Sequence, residues 1–186
     1  MKKTIFLNSI LLFMIGLTIG LSQETIISDE GELLKPEAYF DFWVGSWEAT
    51  WDEGDGKTGI GTNEITKILD GTVIQETFQI TKGESKGFKG TSISVYRPDL
   101  KRWKQAWADN KGGYYDFTGE FPGNKRIFQT THVGSNGKQI IMRMVFKDIK
   151  KNTFIWDWES SEDRGNNWSL KWRISYQRIN KDKPAG

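Results

Sequence analysis

IGTNEITKILDGTVIQETFQIT, residues 60–81, reads as a β-hairpin. Two β-rich runs flank Asp70-Gly71, a dipeptide suited to a tight turn. That turn sets Leu69 opposite Thr72, Ile65 opposite Glu76 and Asn63 opposite Phe78. Side chains alternate across a strand, so one face carries Ile65, Leu69, Ile74, Phe78 and Ile80. The other carries Thr62, Glu64, Thr66, Gln75, Thr77 and Gln79. The apolar face must turn inward, and it takes Asn63 and Glu76 with it. A buried carboxyl is costly unless it is paired, hydrogen-bonded or protonated, which makes Glu76 the first candidate functional residue.

The same alternation extends in both directions, with turn signals about every 8–12 residues, the mark of an all-β barrel or sandwich. The predicted strands are Ser46–Glu53, Ile60–Leu69, Thr72–Thr81, Phe88–Arg97 and Arg102–Asp109, followed by Gly113–Glu120, Lys125–Val133, Lys138–Phe146, Thr153–Ser160 and Trp168–Ile179. The links are short and rich in Gly, Asp, Asn or Pro, and no stretch after Phe42 has a helical period. Lys35 to Phe42 suits a single helical turn plugging one end. Ten hairpin-linked strands leave two open edges unless the sheet closes. The expected fold is therefore an up-and-down antiparallel barrel of about ten strands, with a two-sheet sandwich as the alternative.

Further along, Pro98 to Lys101 sets Tyr96 opposite Trp103, Ser94 opposite Gln105 and Ser92 opposite Trp107. Small residues facing large ones suit an interior, with Gln105 the polar residue between two inward tryptophans. In the last strand Trp168, Leu170, Trp172, Ile174 and Tyr176 form the apolar set. With Trp47, Trp51, Trp156 and Trp158, eight of the nine tryptophans fall on faces read as inward. The hairpin Lys125–Phe146 is ambiguous. Ile127, Val133, Ile140, Met142, Met144 and Phe146 make one part-apolar face, while Arg126, Phe128, Thr130, His132, Ile141 and Arg143 make the other. A one-residue slip exchanges them, so the faces of His132 and Arg143 stay open at this point.

The first 22 residues have the form of an export signal: Lys2-Lys3, an apolar run from Ile5 to Leu21, and small residues before a cleavage expected ahead of Gln23. A membrane anchor is the competing reading, at the lower limit of length for a span. The expected layout is a signal at 1–22, an N-terminal segment at 23–45, a barrel domain at 46–180 and a tail at 181–186, with the mature chain periplasmic or secreted and without stable membrane insertion. The chain holds 26 Lys+Arg and 24 Asp+Glu, and the two surplus charges are Lys2 and Lys3. Without a basic footprint no nucleic-acid partner is expected. Aromatic residues at 13% exclude a disordered chain. With no Cys and one His, neither a disulfide scaffold nor a conventional zinc site is expected. No cofactor is implied.

Phe42-Trp43-Val44-Gly45-Ser46-Trp47 contains a G-x-W entering the first strand, as in lipocalins and the wider calycin group. The chain resembles a family of exported bacterial lipocalin-like barrels through Asp41 to Trp47, Asn63, Leu69-Asp70-Gly71 with Glu76, Trp103-x-Gln105-x-Trp107-x-Asp109, Arg143-Met144-x-Phe146 and Trp158-Glu159-Ser160-Ser161. The resemblance implies a barrel with an internal ligand site and brings no established activity. A lesser likeness to haem-binding nitrobindin-type barrels implies no haem, since Trp168 to Arg178 lacks the histidine that those barrels place in their final strands. Ser161-x-Asp163-x-Gly165-x-Asn167-Trp168 looks like an Asp-box, a motif that closes turns in sialidase propellers.

Two functions compete on these residues. In the first, the barrel binds and transforms saccharides, acidic ones included. Glu76, His132 or Tyr115 supplies proton transfer, Arg143 neutralises a developing enolate, and β-elimination or dehydration follows. Asn63, Tyr96, Gln105, Trp107, Arg143 and Trp156 are then the expected ligand-binding set. In the second, the same cavity carries or senses a small amphipathic ligand and performs no chemistry. A homo-oligomer is left open in either case.

Overall fold

The alternating runs leave no free edge, because the last strand returns to the first. The computed structural model describes Ile26, residues 31–134 and residues 137–180. Its strands are β1 (Gly45–Gly54), β2 (Lys57–Ile68), β3 (Val73–Lys82), β4 (Lys89–Arg97) and β5 (Arg102–Asp109), then β6 (Tyr114–Glu120), β7 (Arg126–Val133), β8 (Gln139–Lys150), β9 (Thr153–Ser161) and β10 (Ser169–Arg178). Each pairs antiparallel with the next, and β10 closes onto β1 through Trp47 with Arg178 and Ala49 with Tyr176. The fold is a closed, ten-strand up-and-down antiparallel barrel, and the sandwich alternative falls. The expected signal at 1–22 and the tail at 181–186 lie outside the described residues.

The hairpin register holds: Ile65 pairs with Glu76 and Asn63 with Phe78. The turn is wider than the sequence suggests. Pairing stops at Ile68 with Val73, and Leu69, Asp70 and Gly71 all take positive φ. Leu69 is therefore a turn residue, 70% exposed, rather than a member of the inner face. Between β4 and β5 the expected pairs Tyr96–Trp103, Ser94–Gln105 and Ser92–Trp107 all form.

Two strand regions correct the sequence reading. In β10 an extra residue between Leu170 and Trp172 breaks the alternation: Leu170 pairs with Glu159, but Trp172 pairs with Trp158. A bulge of this kind changes which face the preceding residues occupy. Trp172, Ile174 and Tyr176 stay inward, whereas Leu170 is exposed and Trp168 lies against Arg143. In β7 and β8 the pairs are Arg126–Phe146, Phe128–Met144 and His132–Ile140. The inner face thus combines Arg126 and Phe128 with Met144 and Phe146, and Ile127 belongs to the other face, opposite Val145.

One end of the barrel is filled by the segment before β1, which makes two 3₁₀ turns, Pro36–Ala38 and Asp41–Trp43. Phe40 is fully buried there, stacked on Phe128 at 4.5 Å and set edge-on to Trp103 and Phe146. The backbone of this segment is bolted to the wall. Trp103 Nε1 donates to Pro36 O at 2.7 Å, Arg126 Nε to Tyr39 O at 3.0 Å, and Arg178 to Val44 O and Phe42 O at 2.8 and 3.0 Å. Buried carbonyls in a non-repetitive segment need such donors. The plug closes this end, and the open interior lies toward the other.

Candidate functional site

Above the aromatic plug the interior turns polar for one layer. Asn63 on β2, Glu76 on β3, Ser92 and Ser94 on β4 and Gln105 on β5 are each buried. Asn63 Nδ2 donates to Glu76 Oε1 at 2.8 Å and reaches Tyr176 Oη on β10 at 3.4 Å. Ser92 Oγ donates to Glu76 Oε2 at 2.7 Å, while Gln105 Nε2 donates to Ser94 Oγ at 2.9 Å and to Ser92 Oγ at 3.3 Å. The layer exists because period two brings these positions to the inner face at adjoining heights of neighbouring strands.

Glu76 is 6% exposed and its charge has no cationic partner among the described residues. Burial pushes its carboxyl up to about 7, against the opposing pull of the Ser92 and Asn63 hydrogen bonds. Burial, and then the nearby Glu76, push the Tyr176 phenol far above its usual range.

Glu76 also lines a pocket of about 700 Å³, its open mouth included. Its other walls include Phe78, Phe88, Trp107, Tyr115, Phe117, Trp156, Trp158, Trp172 and Tyr176, with Asp109 among them. Trp156 and Trp158 on β9 lie nearly parallel, 6° apart at 6.3 Å, and Phe88 lies 19° from Trp107 on β5 at 6.5 Å. In the strand order three strands separate β9 from β5 on one side and five on the other, so the two aromatic pairs stand on opposite walls.

Trp107 is held in place from two sides. Its Nε1 donates to Asp109 Oδ2 at 3.1 Å, and the ring passes so close over Gly90 that a Cβ there would sit 2.0 Å from it. Burial pushes the Asp109 carboxyl up, but the N–H groups of Gly113, Trp107 and Lys111 outweigh it and hold it below the usual range. Gly90→Ala is expected to drive the indole into the lumen and weaken binding of a pocket ligand roughly tenfold. Circular dichroism should confirm an intact barrel, and fluorescence titration should read the loss.

The predicted site residues divide into two groups. Glu76, Trp107, Tyr115 and Trp156 line the pocket, with Asn63 and Gln105 in the polar layer bonded to Glu76 directly or through Ser92. Three do not join them. Tyr96 packs on Trp103 near the plug and borders a separate groove with Glu37, Asp41 and Lys67. His132 has the inward register but stands exposed near the end of β7. Arg143 is paired with Glu159 at 2.7 Å, its guanidinium stacked 3.5 Å from the Trp168 ring centroid. This follows from register: Arg143 neighbours the inward Met144 in β8, so it faces out.

Asp109 and Tyr176 were not among the predicted site residues, although Trp107-x-Asp109 and the inward set of the last strand carried the signal. The Asp-box acts as a turn clasp: Asp163 accepts from Ser161 Oγ at 2.7 Å and from Asn167 N at 2.9 Å. Its carboxyl is lowered to about 2, chiefly by the Asn167 backbone and side chain. Among the described residues no group of three or more His, Asp or Glu is placed to hold a metal ion, and no helix is long and apolar enough to cross a membrane.

No family model matches the chain, and no curated protein does. Among solved structures, an S-type phycobiliprotein lyase from Guillardia theta is similar over 81% of this chain and 95% of that one, at 13% identity and a TM-score of 0.48. A likeness at that level carries nothing over to this chain.

Proposed function

We propose that this chain is a binding barrel for a flat, amphipathic small molecule, held end-on with its apolar body between the aromatic walls and a polar group toward Glu76. The observation that carries this reading is the pocket itself: apolar on nearly every side and ended by a single hydrogen-bonded polar layer. Small-molecule sites commonly combine an apolar wall with a few fixed polar groups. The saccharide form of the reading loses two of its parts. Arg143, assigned to clamp a uronate, points outward, and His132 stands at the exposed rim. The export signal read in residues 1–22 makes the periplasm or the exterior the proposed place of action.

The test uses the neutral fluorescent probe N-phenyl-1-naphthylamine. It should bind saturably, with energy transfer from the pocket tryptophans, and Trp107→Ala should weaken it about tenfold through lost ring contacts. Arg143→Ala, on the outer face, should leave the affinity unchanged. Absence of saturable binding, or equal affinity in wild type and Trp107→Ala, would overturn the reading.

One observation favours a second reading, proton-transfer catalysis: a carboxyl raised to about 7 lines the same pocket as Tyr115, a state suited to acid–base work. An unsaturated-uronate absorbance on incubation with uronate oligosaccharides, abolished in Glu76→Gln, would establish it. No absorbance change with those substrates would exclude this β-elimination.

A further inference from the structure

We propose that the ligand taken by this pocket is an organic cation, an amine or quaternary ammonium carried on a flat ring system. The inference rests on the binding-barrel reading and deepens it. Among the described residues, the pocket lining contains two carboxylates, Glu76 and Asp109, and no Lys, Arg or His. The rest of the lining is almost wholly aromatic, including Trp107, Trp156, Trp158 and Trp172. Aromatic faces attract cations through their quadrupole, most strongly for indole, and several converging rings with a nearby acid make a cage for ammonium groups.

The charges are fixed in place. Asp109 accepts from Trp107 Nε1 at 3.1 Å and from Lys111 N and Gly113 N, both at 2.9 Å. Glu76 is held at the inner end by Asn63 and Ser92. A further indole–acid pair repeats the device: Trp51, packed on Trp172, donates to Glu53 two residues on in β1 at 3.2 Å. The polar layer also has acceptors to spare, since Asn63 Oδ1 and Gln105 Oε1 are buried without a donor among the described residues. Lysines do surround the open end, but Lys57, Lys82, Lys86, Lys89 and Lys111 are exposed and none lines the pocket. An anionic ligand would bring its charge beside two carboxylates with no cation to offset it. Repulsion of that kind is strengthened where water is excluded.

The test is calorimetric titration of the full chain at pH 8 with three naphthalenes of one ring size. These are the permanent cation (1-naphthylmethyl)trimethylammonium, the neutral 1-naphthalenemethanol and the anion 1-naphthylacetate. The cation is expected to bind at least about tenfold tighter than the alcohol, with the anion weakest. Glu76→Gln and Asp109→Asn should each weaken the cation more than the alcohol and so reduce the cation's advantage; Glu76→Gln leaves the turn that Asp109 holds untouched. Equal binding of cation and alcohol, tightest binding of the anion, or a cation preference unchanged in both variants would overturn the charge assignment and leave the pocket reading standing. Binding of none of the three would overturn both.

Discussion

Replacing Glu76 with glutamine is expected to stabilise the barrel at pH 8 by about 3 kcal/mol and to leave it nearly unchanged at pH 4.5. The carboxyl titrates at about 7 in the folded chain, against 4.5 for the ordinary side chain, because burial penalises the anion. The folded state therefore holds more protons than the unfolded one between those two values, and stability falls as pH rises through that window. The neutral acid's contribution is complete below the lower value and is lost above the upper. Glutamine keeps the shape, accepts from Asn63 and cannot ionise, so the slope should vanish in the variant. Urea unfolding at the two pH values reads the difference directly. Carboxylates held low, such as Asp157 and Asp163, act at more acidic pH and cancel between wild type and variant. A wild type and variant separated by the same amount at both pH values would mean that Glu76 does not change charge in this range.

Trp47→Ala is expected to cost about 4 kcal/mol, a large share of the stability of an ordinary domain. The indole has no exposed surface and sets its ring edge-on to Phe154 at 4.8 Å. Its Nε1 donates to Trp43 O at 2.8 Å, and the Arg178 guanidinium lies 4.1 Å from its ring centroid. The same arginine donates to Val44 O, Phe42 O and Lys151 O, so Trp47 and Arg178 together tie the plug, β1 and β10 at the point of closure. A double-mutant cycle with Arg178→Ala should return a coupling of about 1–2 kcal/mol. Additive effects in urea unfolding would show that the stacked pair contributes nothing beyond its separate contacts.

Much of the interior could be read from the chain because strand alternation is local and strict. The positions of Asn63, Glu76 and Gln105 on the inner face follow from two turns and a count of two. Where that count is interrupted, the reading fails. The extra residue between Leu170 and Trp172 moves Trp168 outside, where it covers Arg143 rather than lining the lumen. In β7 and β8 both faces are part apolar, so composition could not choose between registers one residue apart. Pairing of Phe128 with Met144 did, and it turned Arg143 outward.

The ten strands, most of the inward faces and the buried carboxyl are legible in the chain alone, since each depends only on neighbours along the chain or across one hairpin. Depth along the barrel axis is different. Tyr96 and Trp107 were equally inward in the sequence, yet one packs beside the plug and the other lines the pocket. Only closure of β10 onto β1, with the 3₁₀ segment seated in one end, decides which inner residues meet across the lumen, because those contacts join strands that no local pattern connects.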